Sequence, residues 1–105
     1  MKKSLMIKYL KEMRTLLSNP KRWTQKSWAR DNEGYKVYYN SETASCFCLM
    51  GAAYKVAKYN EDKVNTLEKH LNSVLPGDYT SCISYNDARS HRSVLRLIDK
   101  AIAAA

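Results

Sequence analysis

The chain has 105 residues, of which 45% are hydrophobic and eight are tyrosine, a composition that excludes a disordered chain and predicts one folded domain over residues 1–105. Its 18 Lys and Arg residues outnumber the 10 Asp and Glu residues, and the formal net charge of +8 favours an anionic partner such as nucleic acid, although it also serves solubility. No apolar run is long enough to cross a bilayer, so no membrane association is expected.

The first segment, Lys2 to Ser18, has the period of an amphipathic helix. Met6, Leu10 and Met13 recur three or four residues apart, and Asn19-Pro20 ends the pattern. Charged residues interrupt the apolar positions before an uncharged signal-peptide region can form. Three cysteines without such a signal indicate reduced thiols and a cytoplasmic protein.

A β-hairpin is predicted next, with strands at Ser27–Asp31 and Tyr35–Tyr39. The four residues Asp31-Asn32-Glu33-Gly34 suit a type I turn, because Asp can bond its own backbone and Gly tolerates positive φ. The aromatic residues on both sides of this turn are typical of short strands.

Three more helices are predicted after the hairpin. A central helix, apolar on every side, starts after Asn40–Thr43, a third helix runs from Asn60 to Pro76-Gly77, and a last helix starts after Ser90. The segment Asp78–Arg89 is expected to be an irregular connection. The predicted fold class is therefore α+β and mostly helical, with about four helices packed around the central apolar helix and one two-stranded β-hairpin.

Two cysteines, Cys46 and Cys48, lie at the predicted start of the central helix and raise an enzymatic alternative. A helix N-terminus stabilises a thiolate, so Cys46 is a candidate nucleophile of a cysteine-dependent hydrolase or transferase. The arrangement would be completed by a base, His91 or His70, and an orienting group, Asn86 or Asp87. No glycine-rich turn precedes Cys46, and the Cys-x-Cys spacing lacks a second zinc-binding pair, so buried structural thiols with no metal and no cofactor are the favoured interpretation.

Two sets of cations are candidates for nucleic-acid contacts. They are Lys21, Arg22 and Lys26, which alternate with Trp23 and Trp28, and Arg92 and Arg96 on the predicted last helix. Cations interleaved with aromatic rings can follow a phosphate backbone while the rings stack on bases. The alternative is that the cations are solvated and the tryptophans anchor the hairpin to the helices.

A further set of polar and aromatic side chains forms the candidate binding site. Its members are Trp23, Gln25, Arg30, Asp31, Tyr85, Asn86 and Asp87. We expect Gln25, Arg30, Asp31, Asn86 and Asp87 to lie on one side of the molecule. They would form either a hydrogen-bond network, with Arg30 paired to Asp87 or Asp31, or a polar pocket for a ligand or partner side chain.

Three stretches, RWTQKSWARDNEGY, CFCLMGAAYKV and SYNDARSHRSVLRLIDKAI, resemble a family of small uncharacterised proteins found in bacteria and their phages. The resemblance covers the chain from about Leu10 onward and implies that Trp-x-Gln, Ala-Arg-Asp-x-x-Gly, Cys-x-x-Gly-Ala and aromatic-Asn-Asp occupy the family's motif positions. The resemblance implies that Cys48, rather than Cys46, occupies the cysteine position of the Cys-x-x-Gly-Ala motif. It implies no known activity. The resulting hypothesis is a small basic non-enzymatic binding module, a phage or mobile-element accessory protein that engages a host protein or nucleic acid, with antagonism of host defence as one use.

Overall fold

Five α-helices and a small antiparallel sheet make up the fold in the computed structural model, which describes residues 1–105. The helices are α1 (Lys3–Leu17), α2 (Leu49–Val56), α3 (Glu61–Ser73), α4 (Cys82–Ala88) and α5 (His91–Ala104), with a short 3₁₀ helix at Pro20–Arg22. The strands are β1 (Ala29–Arg30), β2 (Lys36–Val37) and β3 (Cys46–Phe47), in the order β2-β1-β3. The predicted class, α+β and mostly helical, is confirmed.

Helix α2 occupies the centre of the molecule. Its first five residues, Leu49 to Ala53, are all buried, and it packs against α1, α3 and α4. Small side chains on this helix let its neighbours approach closely. The other long helices bury one face each, as their sequence period predicts, and the side chains of Asn60 and Ser90 accept hydrogen bonds from the backbone N–H of Lys63 and Ser93 at the starts of α3 and α5.

The residues before α2 form a third strand, which the sequence analysis did not predict. β3 pairs antiparallel with β1, placing Phe47 opposite Ala29 and Cys46 opposite Arg30. The backbone N–H of Ser45 donates to the carbonyl oxygen of Arg30 at 2.8 Å, so the hairpin supplies hydrogen-bond partners that a longer helix would have provided internally. The central helix therefore begins at Leu49, after both cysteines.

The segment Asp78–Arg89, predicted to be irregular, contains α4. The Ser81 hydroxyl accepts hydrogen bonds from the backbone N–H groups of Ile83 and Ser84 and so caps the helix. Cys82, Tyr85 and Asn86 are buried on one face. A buried polar Asn86 and an exposed Ile83 hide the helical pattern from a sequence-based analysis, which is why this prediction was wrong.

The hairpin turn forms where it was predicted. The Asp31 carboxylate accepts hydrogen bonds from the backbone N–H of Glu33 and Tyr35, and Gly34 has φ +88°. The two strands are shorter than predicted, with two residues each. Among the helices, none combines the length and the apolar character needed to span a membrane.

Candidate functional site

An open groove of about 610 Å³ lies between the β1–β2 hairpin and α4. We call it the hairpin groove. Its rim carries the large side chains of Trp28, Tyr38 and Ile83, its floor carries Cys48 and Asn86, and the remaining lining residues are Lys26, Ser27, Lys36, Val37 and Asp87. Apolar and aromatic walls with a few charged groups are the usual composition of a binding groove.

The rim residues are unusually exposed for their size. Trp28 is 39% exposed, Tyr38 75% and Ile83 40%. The Trp28 ring also meets the edges of Tyr39 and Tyr54, each with centroids 5.8 Å apart, and those two tyrosines stack at 4.1 Å. Trp28 therefore anchors the hairpin on α2 and also presents a face to solvent. The two alternatives for this residue, anchoring the hairpin and stacking on a ligand, are thus compatible with each other.

The floor of the groove is held by the side chain of Asn86, which is 1% exposed. Its Oδ1 accepts hydrogen bonds from Trp23 Nε1 at 2.7 Å and from the backbone N–H of Leu49 at 3.2 Å. Its Nδ2 donates to the carbonyl oxygen of Thr24 at 3.1 Å and to Asp87 Oδ1 at 3.2 Å. All four hydrogen-bonding positions of the amide are occupied, so Asn86 joins α4, α2 and the loop before β1.

Two more side chains fasten the same loop to α4. Gln25 Nε2 donates to the carbonyl oxygens of Asn86 and Arg89 at the end of α4, at 3.1 and 2.9 Å. Asp87 Oδ1 accepts a hydrogen bond of 2.8 Å from the backbone N–H of Lys26, whose φ is +62°. A non-glycine residue in this region is strained, so the Asp87 contact helps to hold the backbone at the mouth of the groove.

The predicted pairing of Arg30 with Asp87 or Asp31 is wrong. The Arg30 guanidinium instead donates to Thr24 Oγ1 and to the carbonyl oxygens of Gln25 and Gly34, at 2.9, 3.2 and 3.1 Å. These contacts link Arg30 to Gln25 and, through it, to α4. Asp31 serves the hairpin turn and has no contact with the network around Asn86.

Trp23 and Tyr85, the aromatic members of the predicted binding set, point into the protein. Trp23 is half-buried, bonded to Asn86 and packed on the His91 ring with centroids 5.5 Å apart. Tyr85 is buried, and its ring meets the edge of Tyr79 at 5.0 Å. Both rings stabilise the packing around α4 and α5 in this structure.

The residues of the enzymatic alternative are not brought together. Cys46 lies in β3 rather than at a helix start, with its thiol 3.7 Å from the carbonyl oxygen of Arg30. His91 Nε2 and His70 Nε2 lie 2.6 and 2.7 Å from the carbonyl oxygens of Leu17 and Ala101, and the Asn86 amide is fully bonded elsewhere. The predicted arrangement is therefore wrong, because each histidine ties two helices together instead of facing a thiol.

Cys48 and Cys82 are held as neutral thiols. Cys48 caps α2, its sulfur accepting from the backbone N–H of Gly51 at 3.3 Å, but burial outweighs this contact and raises the pKa of the Cys48 thiol. Burial, with a smaller contribution from the Glu68 carboxylate, raises the pKa of Cys82 to about 12. All three cysteines are free and buried, and no group of three or more His, Cys, Asp or Glu side chains is placed to hold a metal ion.

Slow modification of the three thiols in the folded protein is the expected result with a disulfide reagent near neutral pH. Burial shields all three thiols from the reagent, and the Cys82 thiol, with a pKa of about 12, also carries about 1000-fold less of the reactive thiolate than one at the ordinary 9.0. Denaturant should accelerate the reaction of all three thiols. Rapid, stoichiometric labelling of one thiol in native buffer would contradict this prediction and restore the enzymatic alternative.

The candidate nucleic-acid cations do not share one groove. Lys21 and Arg22 are exposed on the 3₁₀ helix, Lys26 lines the hairpin groove, and Arg92 and Arg96 are exposed on α5. Sequence reasoning also missed five lining residues of the hairpin groove: Ser27, Lys36, Val37, Tyr38 and Ile83. The strand that contains Lys36 and Val37 was predicted, but its place opposite α4 was not, because α4 itself was not predicted.

One comparison with known proteins gives a match. A family model described as "Family of unknown function (DUF6197)" matches residues 1–104. No curated protein and no solved structure matches the chain.

Proposed function

The chain belongs to the DUF6197 family of unknown function, and we propose that it is a non-enzymatic binding module whose hairpin groove receives an extended segment of a partner protein. The observation that carries this proposal is the cluster of exposed Trp28, Tyr38 and Ile83 around an open groove of about 610 Å³. Adjacent exposed apolar side chains of this size commonly mark interaction sites on soluble proteins.

The sheet edge beside the groove supports an extended partner. β2 is an outer strand, and its residues Lys36 and Val37 line the groove. The opposite outer strand, β3, is already covered, because Thr24 donates its backbone N–H to the carbonyl oxygen of Phe47 at 3.0 Å. An added strand beside β2 would gain main-chain hydrogen bonds and place alternate side chains in the groove.

The charges at the groove favour a partner segment in which acidic residues flank the apolar side chain that enters the groove. Lys26 and Lys36 are exposed at the rim, and neither forms an ion pair. The carboxylate of Asp87 is engaged by the backbone N–H of Lys26 and by Asn86. Attraction between the two lysines and an acidic segment would raise the association rate and fix the orientation of the partner.

The proposed setting is a bacterium or its phage, with a host macromolecule as the partner and antagonism of host defence as one use. Support for this setting comes from the motif resemblance. Three free, buried cysteines suit a reducing compartment, so we place the protein in the cytoplasm.

Peptide display tests the proposal without knowledge of the natural partner. We expect selection on the wild-type protein to enrich peptides with one aromatic or large aliphatic residue between acidic residues. Tyr38→Ala and Ile83→Ala should each weaken a selected peptide about tenfold or more, near 1.4 kcal/mol, because both remove contact area from the groove. Lys36→Glu should weaken it further by reversing a charge at the rim.

The matched control is Tyr35→Ala, which removes an exposed tyrosine from the same hairpin but outside the groove. Its peptide affinity should stay within about twofold of the wild type, as expected for a residue outside the contact. Thermal unfolding of every variant checks that the fold is retained. If selection yields no specific peptide, or if Tyr35→Ala is as harmful as Tyr38→Ala, the hairpin groove is not a peptide site.

A further inference from the structure

The net charge of the protein is concentrated in its first 30 residues. Nine of the 18 Lys and Arg residues lie there with Glu12 as the one acidic residue, whereas residues 31–105 carry nine of each sign. The formal +8 therefore belongs to the N-terminal segment from the chain start through α1, the 3₁₀ helix and β1. An even distribution would suggest a solubilising role, but this asymmetry concentrates the positive charge in one segment of the chain.

A second groove, of about 790 Å³, runs along the solvent face of α1. We call it the α1 groove. Ser4, Lys8, Lys11 and Thr15 are spaced by three or four residues and so share one side of the helix, and Arg22 reaches the same groove from the 3₁₀ helix. The polar lining of the groove thus consists of three cations, two hydroxyls and the carboxylate of Glu12.

The cations of the α1 groove are available to a ligand. Lys11 and Arg22 form no ion pair, and Lys8 Nζ lies 4.0 Å from a carboxylate oxygen of Glu12, with the two side chains 66% and 43% exposed. Such an exposed pair is weak and is readily exchanged for a phosphate. Arg14, in contrast, is committed to Asp99, with its Nε 2.8 Å from the carboxylate oxygen.

We infer that the α1 groove binds the phosphate backbone of duplex DNA. Lys, Arg, Ser and Thr are the side chains that contact phosphate oxygens, and they make up five of the eight lining residues, against two apolar residues, Ile7 and Leu16, and one acidic residue, Glu12. A protein partner would require a larger apolar centre. A single strand would be expected to stack its bases on aromatic rings, and none lines the groove.

Contacts of this kind recognise charge and spacing, not base sequence. Three cations, Lys8, Lys11 and Arg22, would release counterions from about three phosphates, so the logarithm of the binding constant should fall with the logarithm of salt concentration with a slope near −3. Between about 50 and 200 mM salt the affinity should fall about 40-fold.

The test is fluorescence anisotropy with a labelled DNA duplex of about 20 base pairs and arbitrary sequence, which offers more phosphates than the groove contacts. The groove variant is Lys8→Gln/Lys11→Gln/Arg22→Gln. The matched variant, Lys55→Gln/Lys69→Gln/Lys100→Gln, removes the same charge from exposed positions on α2, α3 and α5. We expect the groove variant to bind at least about tenfold more weakly with a slope near zero, and the matched variant to stay within about threefold.

Four results would overturn the inference. They are no binding of the wild-type protein at low salt, equal losses in the two triple variants, tighter binding to a single strand than to the duplex, and displacement of the duplex by polyglutamate as effectively as by unlabelled DNA. The third result would indicate base stacking elsewhere, and the fourth an acidic protein partner. Ile83→Ala should leave DNA binding unchanged, so this inference and the peptide proposal fail independently.

Discussion

Replacing Gly51 by alanine should lower the free energy of unfolding by about 3 kcal/mol, the upper part of the range for overpacking a core. A Cβ at this position would lie well inside van der Waals contact with the carbonyl oxygen of Trp28. That oxygen belongs to the backbone and accepts the N–H of Cys48 at 3.2 Å, so it cannot move away without breaking the join between the hairpin and α2. The steric cost exceeds the gain of about 1 kcal/mol that alanine brings to a helix interior.

Urea unfolding of Gly51→Ala and the wild type measures this difference. Gly77→Ala is the control, because Gly77 has φ +59° and no atom near its missing Cβ. It should cost about 1 kcal/mol from backbone strain alone. If Gly51→Ala is as stable as the wild type or more stable, helix propensity outweighs the close approach and the proposed packing of the hairpin on α2 is wrong.

The long helices were predictable from sequence because each has one side in water. In α1, α3 and α5 the apolar residues recur on the buried face, and Asn60 and Ser90 mark two of the helix starts. α2 and α4 lack that contrast. α2 is buried through Ala53, and α4 turns Asn86 inward and Ile83 outward, the reverse of the usual polarity.

The candidate site was predictable in some of its residues but not in their contacts. Asn86 and Asp87 stand out as hydrogen-bonding residues close to a helix start, whereas the groups that Asn86 bonds, such as Trp23 Nε1 and the Leu49 N–H, are 63 and 37 residues away in the chain. No local pattern encodes such pairs. Pairing of β3 with β1 is non-local for the same reason, and it moved Cys46 from a helix start into a strand.

Loss of the Asn86 amide should be the second large effect, and Asn86→Ala should lower the free energy of unfolding by about 3 kcal/mol. The substitution leaves Trp23 Nε1, the Leu49 N–H and the Thr24 carbonyl oxygen without their protein partner. A buried donor or acceptor without a partner costs about 1–3 kcal/mol, and water entering from the hairpin groove recovers part of the sum.

Asn86→Asp separates the two halves of the amide. Its carboxylate still accepts from Trp23 and Leu49, but an oxygen now faces the Thr24 carbonyl oxygen and Asp87, where the amide nitrogen donated. Two carboxylates so close repel each other, so this variant should be destabilised most at neutral pH and regain stability in acid, as a shared proton removes the repulsion.

Chemical denaturation over a range of pH, combined with the peptide-affinity assay, decides what Asn86 does. Asn65→Ala is the control, an exposed asparagine on α3 with no side-chain hydrogen bond, and it should change stability by less than about 0.5 kcal/mol. If Asn86→Ala unfolds like the wild type while peptide binding is lost, the amide is a ligand contact rather than the join between α4, α2 and the loop before β1. If Asn86→Ala and Asn86→Asp both lose much stability at neutral pH, Asn86 is the join between these elements. Both variants remove the donor to Thr24, and only Asn86→Asp keeps the acceptor for Trp23 and Leu49.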